Sequence, residues 1–516
     1  MYELDHSRSW TEVSASDHIQ EFSRPIRVSV WYPTTQTRVT PTMSLREFVH
    51  DPAPDEYFTR LNDLLEERYV GLFASVSQEL YDSLLTLPLA AVKDAEPAVG
   101  SFPVVMYSPG GQASLPDNGV LAAFLASHGY IVGAVPQLEE SPVVSRRDGY
   151  VAQVETQTRD IEYAMGVLQS LPQVDRRHLA VVGYSLGGLV ALRMASRNPN
   201  VDAVVGLDPS FAYARNLDAV TGTGRLDIAA LRTPILSLQA GNVESLSHYS
   251  PLIHDTLHFA DRYTGYVGET VHGDFSEIKS MLIPALVSGE GLEPELVEAH
   301  RAYMVACQYV VNFLDGVLKD DLDGLAFVTQ SSAANGLDPD LVQMTLVNGI
   351  GVPTEAGFVE LLTNEGYDAA EQLLRDAIRA IPHVVLIRED VLDSIGRRMR
   401  GNGESSTAVG VFRLNVEAHP HSARAQDGLA DAYLANGDSL QVIQTYQRLL
   451  EILPSDSSLS RARKEELRRN TELKLRILQF SKRKGSEPPS PRYPGAEVAR
   501  LRTETHPVSG GIGHTA

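Results

Sequence analysis

The run Gly183-Tyr184-Ser185-Leu186-Gly187-Gly188 is the part of this 516-residue chain whose residue types and spacing are best suited to chemistry. A serine hydroxyl is a weak nucleophile at neutral pH, and it attacks a carbonyl only when an imidazole held by a carboxylate can take its proton. With 39 glycines in the chain, a G-x-S-x-G string arises by chance in about one chain in five of this length, so its neighbours decide. The string directly follows the apolar run 179–182 and directly precedes Leu189-Val190-Ala191-Leu192, which is patterned as a helix. Strand, sharp turn and helix lift a serine hydroxyl out at the carboxyl edge of a sheet. Glycine is needed at 183 and 187 because a Cβ there would collide with adjacent backbone. Ser185 at a helix amino terminus also receives the positive end of the dipole.

Fifteen histidines compete for the role of base. When the nucleophile sits on such a turn, the acid and then the histidine follow it in the chain. That leaves His248, His254, His258, His272 and His300. His272 is selected because Val271-His272-Gly273-Asp274-Phe275 is a short polar turn, whereas His254, His258 and His300 lie in stretches patterned as helix. Two strand ends can supply the acid. The run Ala203 to Leu207 ends in Asp208-Pro209, while the run Ile235 to Leu238 ends in Gln239-Ala240-Gly241-Asn242-Val243-Glu244 and offers no aspartate. Asp208 is therefore the expected acid and Glu244 the reserve, since a buried carboxylate at a strand end needs a partner such as His272. An oxyanion needs two backbone N–H donors. Leu186, next after the nucleophile, is one; Gly111 in the loop Ser108-Pro109-Gly110-Gly111-Gln112 is the other, because adjacent glycines let backbone approach substrate closely.

The elements that must hold these residues are legible around them. Strand-like runs occur at Arg27 to Tyr32, Phe102 to Tyr107, Tyr130 to Val135, 179–183, Ala203 to Leu207 and Ile235 to Leu238, separated by helical stretches such as Gly119 to Ser127 and Gln157 to Gln169. This alternation implies a mostly parallel sheet with helices on both faces, an α/β domain spanning residues 1–320. Within it, residues 41–98 carry apolar residues at helical spacing (Phe58, Leu61, Leu64, Leu65, then Leu72, Phe73, Val76, Leu80), which we read as a helical insertion that contributes a lid or acyl pocket.

Taken together, RPIRVSVWYP, MYSPGGQ ahead of LASHGYIVGAVP, GYSLGG, VVGLDPS and HGDF resemble the platelet-activating-factor acetylhydrolase and dienelactone hydrolase-like branch of the α/β-hydrolases over about residues 24–318. In the acetylhydrolase branch the acid follows the strand next after the nucleophile, the slot that Asp208 occupies; in dienelactone hydrolases it comes one strand later. The chain departs from those patterns in having Pro109 where a histidine is usual, Tyr184-Ser185-Leu186 where the acetylhydrolases tend to carry His-Ser-Phe, and serine where dienelactone hydrolases use cysteine. The resemblance implies a Ser185–His272–Asp208 esterase acting on a small-molecule ester, with no metal or organic cofactor. Amide or lactone cleavage, acyl transfer, and an inactive interaction scaffold are the alternatives.

Beyond residue 320 the strand signals stop, and residues 321–484 are expected to be helical. Ile395, Met399, Gly403, Val409, Phe412 and Pro420 are each followed 34 residues later by Leu429, Tyr433, Gly437, Ile443, Tyr446 and Pro454. That period resembles the tetratricopeptide repeat, two antiparallel helices per unit, with Phe358 to Pro382 as a degenerate further unit. So short an array is expected to bind a protein partner or to self-associate. Residues 485–516, rich in Pro, Gly and Ser, are expected to be a disordered tail.

Composition sets the outer limits. Apolar residues at 43% and charged residues at 21% are those of a globular protein, and no apolar run approaches a membrane span. A net charge of −22 argues against nucleic acid as a partner for the bulk of the chain. The segment from Arg461 to Lys484 differs: ten Lys or Arg against three Asp or Glu give it +7, a solvated helix closing the repeat stack or a membrane-docking surface. A single cysteine, Cys307, allows no intramolecular disulfide and no thiolate cluster. The amino terminus MYELDHSRSW has neither a basic start nor an apolar core, so cytoplasmic residence is expected, although an exported form with its leader removed would look the same.

Overall fold

A computed structural model describes residues 1–13, 19–35, 42–74, 77–111, 113–114, 117–138, 149–213, 216, 228–229, 231–250, 252–278, 294–350, 355–380 and 387–484. The expected tail at 485–516 lies outside them. Two compact units divide the chain, 1–350 and 351–516.

In the first unit the six strand-like runs and two later strands that the sequence reading did not mark form one eight-stranded sheet. These are β3 (Ser29–Trp31), β4 (Phe102–Ser108), β5 (Ile131–Ala134), β6 (Val174–Tyr184), β7 (Ala203–Leu207), β8 (Ile235–Ala240), β9 (Arg262–Val267) and β10 (Val342–Val347). Their order is β10-β9-β8-β7-β6-β4-β5-β3, parallel from β9 to β5 and antiparallel at the two edges. Alternate residues of one strand enter opposite cores. Val105 and Tyr107 pack with the helices α4 (Gly119–Ser127) and α7 (Pro294–Leu318), whereas Val104 and Met106 pack with α5 (Gly149–Leu168) and α6 (Leu186–Arg197). Strands buried on both faces read as unbroken apolar runs, and that is why they were legible.

Residues 42–98 hold the helices α1 (Leu45–Val49), α2 (Glu56–Leu72) and α3 (Gln78–Leu84). Asp55 caps α2, accepting from the Phe58 N–H at 3.0 Å. Its face Phe58, Leu61 and Leu65 packs against Trp10 and Leu138.

Three expectations need correction. The α/β unit runs to 350 rather than 320, because β10 pairs antiparallel with β9 and completes the sheet. Its outward residues are exposed, so its apolar alternation is faint. A separate antiparallel hairpin, β1 (Tyr2–Val13) and β2 (Ile19–Arg27), precedes what read as the first strand. It is stitched down by buried Arg24, whose guanidinium donates to both oxygens of Asp160 on α5 at 2.7 and 2.5 Å. Helix α5 begins at Gly149, eight residues before its expected start at Gln157.

The described residues of the second unit are helical. After α8 (Glu355–Asn364) and α9 (Tyr367–Ala380) come α10 (Glu389–Gly401) and α11 (Ser405–Ala418), then α12 (Ala423–Asn436) and α13 (Ser439–Ile452), the later pair offset by 34 residues from the earlier. Phe412 and Tyr446, equivalent in that offset, are both fully buried. The basic segment forms α14 (Arg461–Lys484). Among the described residues no helix is long and apolar enough to cross a membrane.

Candidate active site

Ser185 lies between the end of β6 and the start of α6, with φ 53° and ψ −118°, a conformation that a non-glycine residue adopts only when its surroundings enforce it. Several contacts do so. Its N–H donates to the Leu207 carbonyl at 3.1 Å, and its carbonyl accepts from the N–H groups of Gly188 (3.0 Å) and Ser210 (2.7 Å), which ties the turn to the end of β7. A Cβ on Gly183 would meet the Gly187 carbonyl, and one on Gly187 would meet the Ser108 carbonyl, so both positions require glycine.

The neighbouring strand end supplies the acid. Asp208 directly follows β7, has no exposed surface, and also stands at positive φ (37°). Its N–H donates to the Leu238 carbonyl at 2.7 Å. His272 opens the short 3-10 turn His272–Phe275, whose approach is fixed by the Val271 N–H donating to the Asp274 carboxylate at 2.8 Å. Ser185 Oγ and His272 Nε2 are 3.0 Å apart, and His272 Nδ1 and Asp208 Oδ2 are 2.5 Å apart. The three sequence-selected side chains thus form one hydrogen-bonded line. Glu244, the reserve acid, is exposed on the short helix Val243–Leu246 and is not the carboxylate that meets Nδ1.

Gly111 lies beside Leu186, with 3.8 Å from the position of an added Cβ to the Leu186 side chain, and Gly111 and Ser185 line the same cavity. That cavity has a volume of about 570 Å³. Arg68, Tyr69, Gly71 and Leu72 of α2 form one wall, and Asp117, Ser276, Glu277 and Ile278 contribute to the rest.

Sequence reasoning missed several residues here. Asp117 accepts from the Tyr107 hydroxyl at 2.5 Å and from the Gly110 N–H at 3.1 Å, so it grips the loop that carries Gly111. Burial raises its pKa to about 6 despite those donors and the nearby His272. Asn118 extends the network, donating to the Tyr107 hydroxyl at 2.7 Å and to the Phe275 carbonyl at 3.2 Å, and accepting from Tyr303 at 2.8 Å. Glu277 accepts the Val120 N–H at 2.6 Å at the start of α4, and burial pushes it up to about 8. The Tyr184 ring stacks on His272, 5.1 Å between centroids, and its hydroxyl donates to the His272 carbonyl at 3.1 Å. Only Tyr184, adjacent to the nucleophile, had a local signal. Asn118 and Glu277 meet partners far away in the chain, and Asp117 reaches back across the loop after β4 without a periodic pattern to mark it.

A family model matches part of this architecture. Residues 125–246, about a quarter of the chain, match the dienelactone hydrolase family, a span that holds β5 to β8 with Ser185 and Asp208. With that match, the mixed sheet and its covering helices in residues 1–350 fit an α/β-hydrolase. Among solved structures, the chain is similar to a ferulic acid esterase from Streptomyces cinnamoneus, with 23% identity, a TM-score of 0.45, and coverage of 67% of this chain and 94% of that one. No curated protein matches it.

Proposed function

We propose that this protein is a serine hydrolase of carboxylic esters, with Ser185 as nucleophile, His272 as general base and acid, and Asp208 as the carboxylate that orients the imidazole. The observation that carries the reading is the unbroken line from Ser185 Oγ to His272 Nε2 (3.0 Å) and from His272 Nδ1 to Asp208 (2.5 Å), opening onto a cavity. Ser185 Oγ attacks the ester carbonyl while its proton passes to Nε2. The oxyanion is held by the N–H groups of Leu186 and Gly111, at the positive end of α6. His272 returns the proton to the departing alkoxide, and the resulting alcohol leaves an acyl-serine. Water, deprotonated by His272, then releases the acid and regenerates the hydroxyl.

A cavity of about 570 Å³ whose lining is shared between Arg68, Asp117 and Glu277 and apolar groups such as Leu72 and Ile278 supports a compact ester over a long aliphatic one. The 34-residue offset of the helical pairs supports reading the second unit as a tetratricopeptide-like array. The test is labelling of the full chain with a fluorophosphonate probe, alongside hydrolysis of 4-nitrophenyl acetate and palmitate. The wild type is expected to label and to prefer the acetate, and Ser185→Ala to do neither. Absence of labelling in the wild type, or equal labelling of Ser185→Ala, overturns the reading.

A further inference from the structure

Asp208 carries more donors than a triad carboxylate needs to hold one imidazole. Its Oδ1 accepts from the Tyr249 hydroxyl at 2.5 Å and from the Ala240 N–H at 3.3 Å; its Oδ2 accepts from the Tyr213 hydroxyl at 3.1 Å as well as from His272 Nδ1. Tyr249 in turn accepts from the Ala240 N–H at 2.8 Å. The two phenol rings lie 5.1 Å apart, and the segments that carry them are joined by the Ser250 N–H donating to the Ala212 carbonyl at 2.9 Å. We propose that Tyr213 and Tyr249 are positioning residues that clamp Asp208, one on each carboxylate oxygen, and set how strongly it draws the His272 proton. This rests on the reading of Ser185, His272 and Asp208 as a triad.

The physical case has three parts. First, Asp208 has no exposed surface and accepts from both phenol hydroxyls, and hydrogen bonds to a carboxylate are among the strong ones. Second, both phenols remain donors across the working pH range, because burial followed by the Asp208 charge pushes Tyr213 up to about 12 and raises Tyr249 further. Third, geometry is at stake. Asp208 sits on a strained backbone, and with the Tyr249 hydroxyl removed the long Ala240 bond is what Oδ1 retains among the described residues, leaving the carboxylate less firmly aimed at Nδ1. Donors on the carboxylate spread its charge and weaken its pull on the imidazolium, so removing one makes the imidazole harder to deprotonate. Among the described residues Asp117 and Tyr184 also face His272, and neither is altered by the substitutions below.

The test uses full-length Tyr249→Phe and Tyr213→Phe, which delete only hydroxyls. Tyr249→Phe is expected to lower kcat about ten-fold with little change in KM, and to move the acid limb of kcat/KM to higher pH; Tyr213→Phe, with the longer bond, should do the same more weakly. The His272 Nδ1 proton, followed as a low-field NMR resonance, should shift in both variants. Unchanged kcat, acid limb and resonance in either folded variant overturn the proposal, and a loss confined to thermal stability does so too. Should Tyr249→Phe fail to fold, Tyr213→Phe decides alone. The NMR arm separates this inference from the proposed reaction: a wild type that cleaves no ester refutes the reaction, while the resonance still reports whether the phenols govern the Asp208–His272 bond.

Discussion

At the scale of single residues, Ser185 and Asp208 share an unusual property: both are non-glycine residues at positive φ, each at the end of a central strand. For Asp208 the cost is modest, since a short polar side chain tolerates that region best among non-glycine residues. Asparagine at 208 fits the same backbone but cannot hold a charged imidazolium. Asp208→Asn is therefore expected to fold normally and to lose activity by up to about 10⁴-fold, measured as kcat/KM on 4-nitrophenyl acetate. Glu244→Gln, altering the exposed acid that sequence alone kept in reserve, is expected to leave that rate within about two-fold. The reverse pattern would move the acid role to Glu244.

At the scale of elements, two buried groups join pieces that sequence does not connect. Arg24 and Asp160 fasten the β1–β2 hairpin to α5, and their side chains are only 1% and 4% exposed. Removing one partner of such a pair strands a buried charge, so Asp160→Ala is expected to cost about 3–5 kcal/mol in chemical denaturation. Glu277 holds the start of α4, and its consequence depends on pH. Its carboxyl has an ordinary value of 4.5 and is raised by burial to about 8 in the folded protein. Between those values the folded state holds a proton that the unfolded chain has released. Its stabilising contribution is thus present at low pH and is lost as pH rises towards about 8. Glu277→Gln removes that dependence. Thermal melts should show the variant gaining on the wild type between pH 5 and pH 9, and a constant difference would contradict the assignment.

At the scale of the whole molecule, the sheet completes itself late in the chain. A chain ending at Ile350 keeps β10 and is expected to stay soluble and to label with fluorophosphonate. One ending at Asp320 leaves the β9 edge uncovered and is expected to aggregate, which size-exclusion chromatography would show. This boundary also marks how far the sequence could be read. The central strands and the Ser185 turn were legible because burial on both faces and steric need for glycine leave local patterns. β10 was not, since a half-exposed edge strand such as Val342-Gln343-Met344-Thr345 carries little periodicity. Asp117, Tyr213 and Tyr249 left no local trace, because their hydrogen bonds run across turns and between segments and follow no helix or strand period. One feature of the cavity wall bears on the history of the chain. Gly71 has open space around it and Leu72 is 51% exposed, so neither serves the core. Mutations can accumulate at that rim without unfolding the scaffold, so under the proposed reaction selection can trade one ester for another there while the sheet and Ser185 are inherited unchanged.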